Sequence, residues 1–67
     1  MKMWNITVTL PSNARMLGDV VENSVITMQF ASEDTASAQA KADRLAQSIR
    51  NKLDGQPAVT HTFAEVS

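Results

Sequence analysis

Apolar residues recur every three or four positions between residues 32 and 53, which predicts an amphipathic α-helix in this stretch. The stripe begins with small side chains and continues with larger ones, so we expect the first turns to approach a sheet closely. The residues expected to face the core are Thr35, Ala38, Ala42, Leu45, Ile49 and Leu53.

The predicted helix also carries signals at both ends. Ser32 is a favourable N-cap, and the two acidic residues that follow it suit the positive end of the helix dipole. At the other end, Gly55 can take the left-handed conformation that often closes a helix, and Pro57 prevents continuation.

Three other segments alternate apolar and polar side chains with the period of two that is typical of half-buried strands: residues 4–10, 24–30 and 58–66. In the last strand we expect Val59 and Phe63 to face inward because they carry the larger apolar area. The order is then β-β-α-β, and a crossover through the helix makes the third strand parallel to the second. With the first strand between them, the chain is a small α+β domain with a three-stranded, mainly antiparallel sheet of order 2-1-3 and one long helix on one face.

Residues 11–23 have no single clear pattern. We favour a loop that runs into an extended strand, but a short helix capped by Ser12 and an earlier start of the second strand at Val20 and Val21 are both open. A connection of this length is long for a hairpin, and long loops are often functional.

Length and composition predict one domain over residues 1–67 that gains stability by self-association. A chain this short buries only about 60% of the surface that its unfolded form exposes, and it has no cysteine for disulfides. A net charge of -1 argues against charge-driven binding to nucleic acid or to an anionic membrane. Because the apolar residues near the N-terminus alternate with polar ones, we expect no signal peptide, no membrane span and a cytoplasmic protein.

The chain carries few residues that could support catalysis. It has two glycines, no nucleotide-binding or nucleophile motif and a single histidine, His61, which we expect to be a packed or hydrogen-bonded structural residue. The sequence therefore predicts a protein that is not an enzyme and has no cofactor and no metal site.

Two surfaces are candidates for binding. Arg15, Met16, Leu17 and Asp19 place large apolar side chains between opposite charges, which is typical of a partner contact; the alternative is that Met16 and Leu17 plug the core. The outward face of the strands is rich in threonine, which suits an exposed sheet face. The alternatives are an interface with a second copy or a partner, and the lining of a small-ligand site between subunits. The oligomer-interface candidates on this face are Thr7, Thr9, Thr27, Gln29, Thr60 and Thr62.

A third candidate is a basic flank of the helix that includes Lys41 and Arg44. Together with Arg15, these side chains could bind a nucleotide or another small ligand in a pocket between subunits. The simpler interpretation is a solvated helix flank.

These observations predict a non-enzymatic, self-associating module that acts by binding another protein, with inhibition of that protein as one mode of action. The element order resembles that of HicB-like antitoxins, which implies an antitoxin-like partner of a toxin as one alternative; the glycine-proline features of that family are absent, so no residue role is carried over. Small size and exposed sheet edges are also similar to those of phage or mobile-element antagonists such as anti-CRISPR proteins. The other alternative is an oligomer with a ligand pocket between subunits.

Overall fold

The computed structural model describes residues 1–21 and 24–66, which form one three-stranded sheet, one helix and a short hairpin. In chain order the elements are β1 (Lys2–Thr9), β2 (Arg15–Met16), β3 (Asp19–Val20), β4 (Val25–Ser32), α1 (Thr35–Lys52) and β5 (Thr60–Glu65). The main sheet has the order β4-β1-β5, with both outer strands antiparallel to β1, and α1 covers one of its faces. The hairpin strands β2 and β3 lie outside this sheet, so β1, β4 and β5 are the three predicted strands, and the predicted α+β class and order 2-1-3 are confirmed.

The core lies between the central strand and the helix. Every second residue of β1 from Trp4 to Val8 is buried, because β1 is covered by a strand on each side and by α1 above. The helix contributes mainly small side chains at the sheet, which lets its axis approach closely. The helical residues buried in the core are Ala38, Ala42, Ala46 and Ile49, and Leu53 follows directly after the helix.

The predicted helix stripe needs two corrections. Thr35 is exposed, because it is the first residue of α1 and lies beyond the cover of the sheet. Leu45 is only half-buried, since Ala46 takes the position that faces the sheet and Leu45 lies at the rim of the core.

The helix begins at Thr35 with Asp34 as its N-cap, so the prediction of Ser32 in this role is wrong. The Oδ1 atom of Asp34 accepts a hydrogen bond of 2.8 Å from the backbone N–H of Ser37. This bond, with a second one from the Ser37 side chain, lowers the pKa of Asp34. Ser32 instead ends β4, where it is 1% exposed and its carbonyl accepts a 3.2 Å hydrogen bond from the buried Trp4 indole. Burying that indole requires an acceptor, which draws Ser32 into the sheet.

The helix ends at Lys52 and is followed by a tight turn. Leu53 has an extended backbone, and its carbonyl accepts a 3.1 Å hydrogen bond from the N–H of Gln56. Gly55 has the predicted left-handed conformation, with φ of 74°, but it lies two residues after the C-cap rather than next to it. The turn therefore stops the helix and directs the chain towards β5.

The inward face of β5 is the predicted one. Val59 and Phe63 pack against the core, and the Phe63 ring lies 6.0 Å from the Trp4 ring at an angle of 50°. His61 lies on the same face at the rim, with its Nε2 2.9 Å from Oδ1 of Asp43 on α1. This contact between β5 and α1 agrees with the hydrogen-bonded histidine that the sequence predicts.

Candidate protein-binding surface

The segment between β1 and β4 contains a small β-hairpin. Arg15 pairs with Val20 and Met16 with Asp19, so the turn consists of Leu17 and Gly18 alone. Their φ values are 52° and 84°, and two consecutive positive φ values define a type I′ turn. The N–H of Val21 donates to the carbonyl of Ala14 at 3.0 Å and extends the ladder.

This hairpin corrects the interpretations of residues 11–23. The favoured interpretation, a loop that runs into an extended strand, did not include the two short hairpin strands. No helix begins at Ser12, and Val20 pairs with Arg15 rather than with β1. Positions 22 and 23 of the predicted loop lie outside the described residues. The hairpin was not predicted because type I′ turns favour Asn, Asp or Gly at both central positions, and this one begins with leucine.

Leu17 is both exposed and conformationally unfavourable. Its side chain is 91% exposed, so it gains almost no burial within the chain. A leucine in the left-handed region costs roughly 1–2 kcal/mol relative to ordinary backbone conformations, because its Cβ approaches the following carbonyl. Because the side chain is so exposed, its contacts in the described structure do not offset this conformational cost.

The hairpin is held against the end of the helix by Asp54. The Leu17 N–H donates to Oδ1 of Asp54 at 3.2 Å, and the Gly18 N–H donates to Oδ2 at 2.9 Å. The backbone N–H of Asp54 donates in turn to the Arg15 carbonyl at 2.7 Å. We call these three bonds the Asp54 clasp; they fix the direction in which the hairpin tip projects.

The two apolar residues of the predicted partner contact lie in different environments. Met16 is half-buried and packs against the core next to the fully buried Ala14. Leu17 extends into solvent, and Arg15 and Asp19 are exposed beside it. The sequence offered a partner contact or a core position for both residues. The structure places Met16 at the core and leaves only Leu17 exposed to a partner.

Val20 belongs to the same surface and was not recognised from the sequence. It is 57% exposed and lies opposite Arg15, on the face of the hairpin that Met16 does not occupy. Once a hairpin is known, the period of two in a strand places Val20 there. The hairpin tip is defined here as Arg15, Leu17, Asp19 and Val20.

The threonine-rich face also forms as the alternation predicts. Thr7 of the central strand has Thr27 on one side and Thr62 on the other, and all three turn away from the helix. Met3 and Val25 add exposed apolar area at opposite ends of this face. The remaining oligomer-interface candidates in the same plane are Thr9, Gln29 and Thr60.

The three basic ligand candidates are only partly brought together. Lys41 and Arg44 line an open groove of about 340 Å³ with the apolar Phe30 and Leu45. The Arg15 carbonyl accepts a hydrogen bond from Asp54, just after the end of α1 at Lys52, and that end lies about 12 Å along the helix from Arg44. One chain thus does not place Arg15 in this groove.

Residues 1–21 and 24–66 contain no group of three His, Cys, Asp or Glu side chains that could hold a metal ion. Within the same ranges, no helix is both long and apolar enough to cross a membrane. Comparison with protein-family models, curated proteins and solved structures finds no significant match.

Proposed function

We propose that this chain is a non-enzymatic module that binds another protein through the hairpin tip. The observation that carries this proposal is Leu17, a large apolar side chain that is 91% exposed in a backbone conformation unfavourable for leucine. Strained and exposed residues of this kind persist where function requires them, since folding alone favours Asn or Gly at this position.

The energetics of such a contact follow from the hairpin geometry. A partner that removes the Leu17 side chain from water gains roughly 1.5–3 kcal/mol from its burial. Arg15 and Asp19 supply opposite charges at the rim, which orient the partner and raise the association rate. The Asp54 clasp orders the turn before binding, which reduces the conformational entropy lost in the complex.

The class of activity follows from size and chemistry. We propose that the protein self-associates and blocks its partner, in the manner of small phage or mobile-element antagonists such as anti-CRISPR proteins. An antitoxin-like role towards a toxin uses the same surface. We propose a cytoplasmic location for this activity.

Capture from a cell lysate tests the proposal when two variants are compared with the unchanged chain. Leu17→Asn replaces the apolar anchor with a residue that the type I′ turn favours, so the fold is retained and capture is lost. Thr7→Lys alters the centre of the threonine-rich face and leaves capture intact. Capture that survives Leu17→Asn and disappears with Thr7→Lys would assign binding to the sheet face instead.

The groove beside Phe30 favours a second candidate function. Its apolar wall with Lys41 and Arg44 at the rim suits an anionic ligand such as a nucleotide, shared between two copies. Titration calorimetry with a nucleoside triphosphate tests this directly. Binding that is lost in Arg44→Gln supports the groove. An absence of heat change with the unchanged chain at two well-separated temperatures excludes it, because the binding enthalpy can vanish at only one of them.

A further inference from the structure

We propose that self-association, which is part of the proposed function, occurs through the outer edge of β4. A second copy of this chain pairs there antiparallel to the first and joins the two sheets into one six-stranded sheet. The two-fold axis is perpendicular to the sheet, so both helices lie on the same face. The threonine-rich faces then lie side by side and remain open.

The ladder between β1 and β4 shows which main-chain groups are free. The N–H of Leu10 donates to the carbonyl of Ser24 at 2.9 Å, which marks these opposed residues as a hydrogen-bonded pair. Because antiparallel pairs alternate, every second residue of β4 after Ser24 also bonds to β1. The residues between them, Val25, Thr27 and Gln29, direct their N–H and C=O groups away from β1, and β4 is the edge of the described sheet.

The far end of the same edge is already covered. The Lys41 ammonium donates a 2.6 Å hydrogen bond to the carbonyl of Ala31, the next residue of β4 whose main-chain groups point away from β1. This contact confirms the alternation and removes Ala31 from the free row. The open part of the edge is therefore short and ends at Gln29.

These groups determine the register of the pair. Opposed residues of an antiparallel pair point to the same face, so one residue of β4 must lie opposite the same residue of the second copy, with the two-fold axis between them. Using only the free groups, Thr27 lies opposite Thr27 of the second copy, and Val25 lies opposite Gln29. The three opposed pairs form about six main-chain hydrogen bonds, two for each pair.

The side chains of β4 favour a second copy as the occupant. The strand contains no charged residue, so no like charges oppose each other between the two paired strands. On the helix side, Ile26 of each copy lies opposite Met28 of the other, and both side chains are only half-buried in one chain. Pairing therefore buries apolar surface that one chain leaves partly exposed.

The other edge of the sheet is less suited to the same contact. β5 is shorter and ends at Glu65, whose carboxylate lies 3.5 Å from the Lys2 ammonium. A charged residue at an edge strand discourages pairing with another chain. The self-association that we infer is therefore confined to β4 and closes at two copies.

Sedimentation velocity at micromolar concentration tests this geometry with three proteins. The unchanged chain sediments as a dimer. Thr27→Pro removes the central outward N–H without breaking a bond to β1, and we expect it to raise the dimer dissociation constant by at least about 100-fold. Thr7→Lys is the matched control, because it places a charge on the adjacent threonine-rich face and leaves the edge free.

The outcomes separate this inference from the proposed function. If the Thr27→Pro dimer is as stable as that of the unchanged chain, pairing through the β4 edge is wrong and self-association stands. If the unchanged chain is a monomer, both the β4 pairing and self-association are wrong. Loss of the dimer in Thr7→Lys alone assigns the contact to the threonine-rich face. If circular dichroism shows that Thr27→Pro is unfolded, the double variant Val25→Lys, Gln29→Lys replaces it, since it opposes lysines across the pair. Capture through Leu17 is measured independently and does not depend on these results.

Discussion

Replacing Asp54 with alanine removes the carboxylate that holds the hairpin tip against the end of α1. Two hydrogen bonds are lost, from the N–H groups of Leu17 and Gly18 at 3.2 and 2.9 Å. Buried hydrogen bonds to charged groups contribute about 1.5–3 kcal/mol each, but these are exposed, so we expect about 0.5–1 kcal/mol for each. The variant then lacks about 1–2 kcal/mol of the free energy that keeps Leu17 in its left-handed conformation.

Amide hydrogen exchange measured by NMR reports this loss residue by residue. We expect Leu17 and Gly18 to exchange roughly 5- to 30-fold faster in Asp54→Ala, because 1–2 kcal/mol corresponds to that range. Asp54→Asn is the matched control; its single side-chain oxygen retains one acceptor and gives an intermediate rate. The clasp is refuted if both amides exchange at the original rate in Asp54→Ala.

Two further predictions concern the helix. Ile49→Ala should lower the free energy of unfolding by about 2–4 kcal/mol, and Leu45→Ala by about 1–2 kcal/mol, because Ile49 is buried and Leu45 is only half-buried. Urea denaturation measures both values. Equal losses in the two variants would contradict this placement of the helix. The pKa of Asp34 is lowered in the folded chain, so ionised Asp34 stabilises the fold. This contribution to the free energy of unfolding is complete above the ordinary carboxyl pKa and is lost as the pH falls through the lowered pKa. Asp34→Ala should therefore reduce the dependence of the unfolding midpoint on pH in the acid range, and an unchanged dependence would show that the capping bond contributes nothing.

Periodicity was sufficient to predict the main sheet and the helix. The clean alternation in β1 and the stripe of α1 each recur over many residues, so errors at single positions do not change the result. The start of the helix was less predictable, because Ser32 and Asp34 are both good caps. The choice between them depends on the Trp4 indole, which is distant in sequence and requires the Ser32 carbonyl.

The hairpin tip was predictable only as a group of unusual residues. The sequence singles out Arg15, Met16, Leu17 and Asp19 because two large apolar side chains lie there between opposite charges. Which of the two apolar residues is exposed depends on a carboxylate that lies 37 residues from Leu17 in the chain. No local pattern contains that information, and a leucine in a type I′ turn opposes the usual sequence preference.

The affinity of the captured partner for the unchanged chain and for Leu17→Asn tests the central claim most directly. Both proteins are titrated with the partner after their free energies of unfolding have been measured. We expect Leu17→Asn to be more stable by about 0.5–1 kcal/mol, because asparagine suits the turn. We also expect it to bind at least about 30-fold more weakly, the loss of roughly 2 kcal/mol that marks an interface hot spot. Equal affinity of the two proteins would contradict a binding role for the hairpin tip.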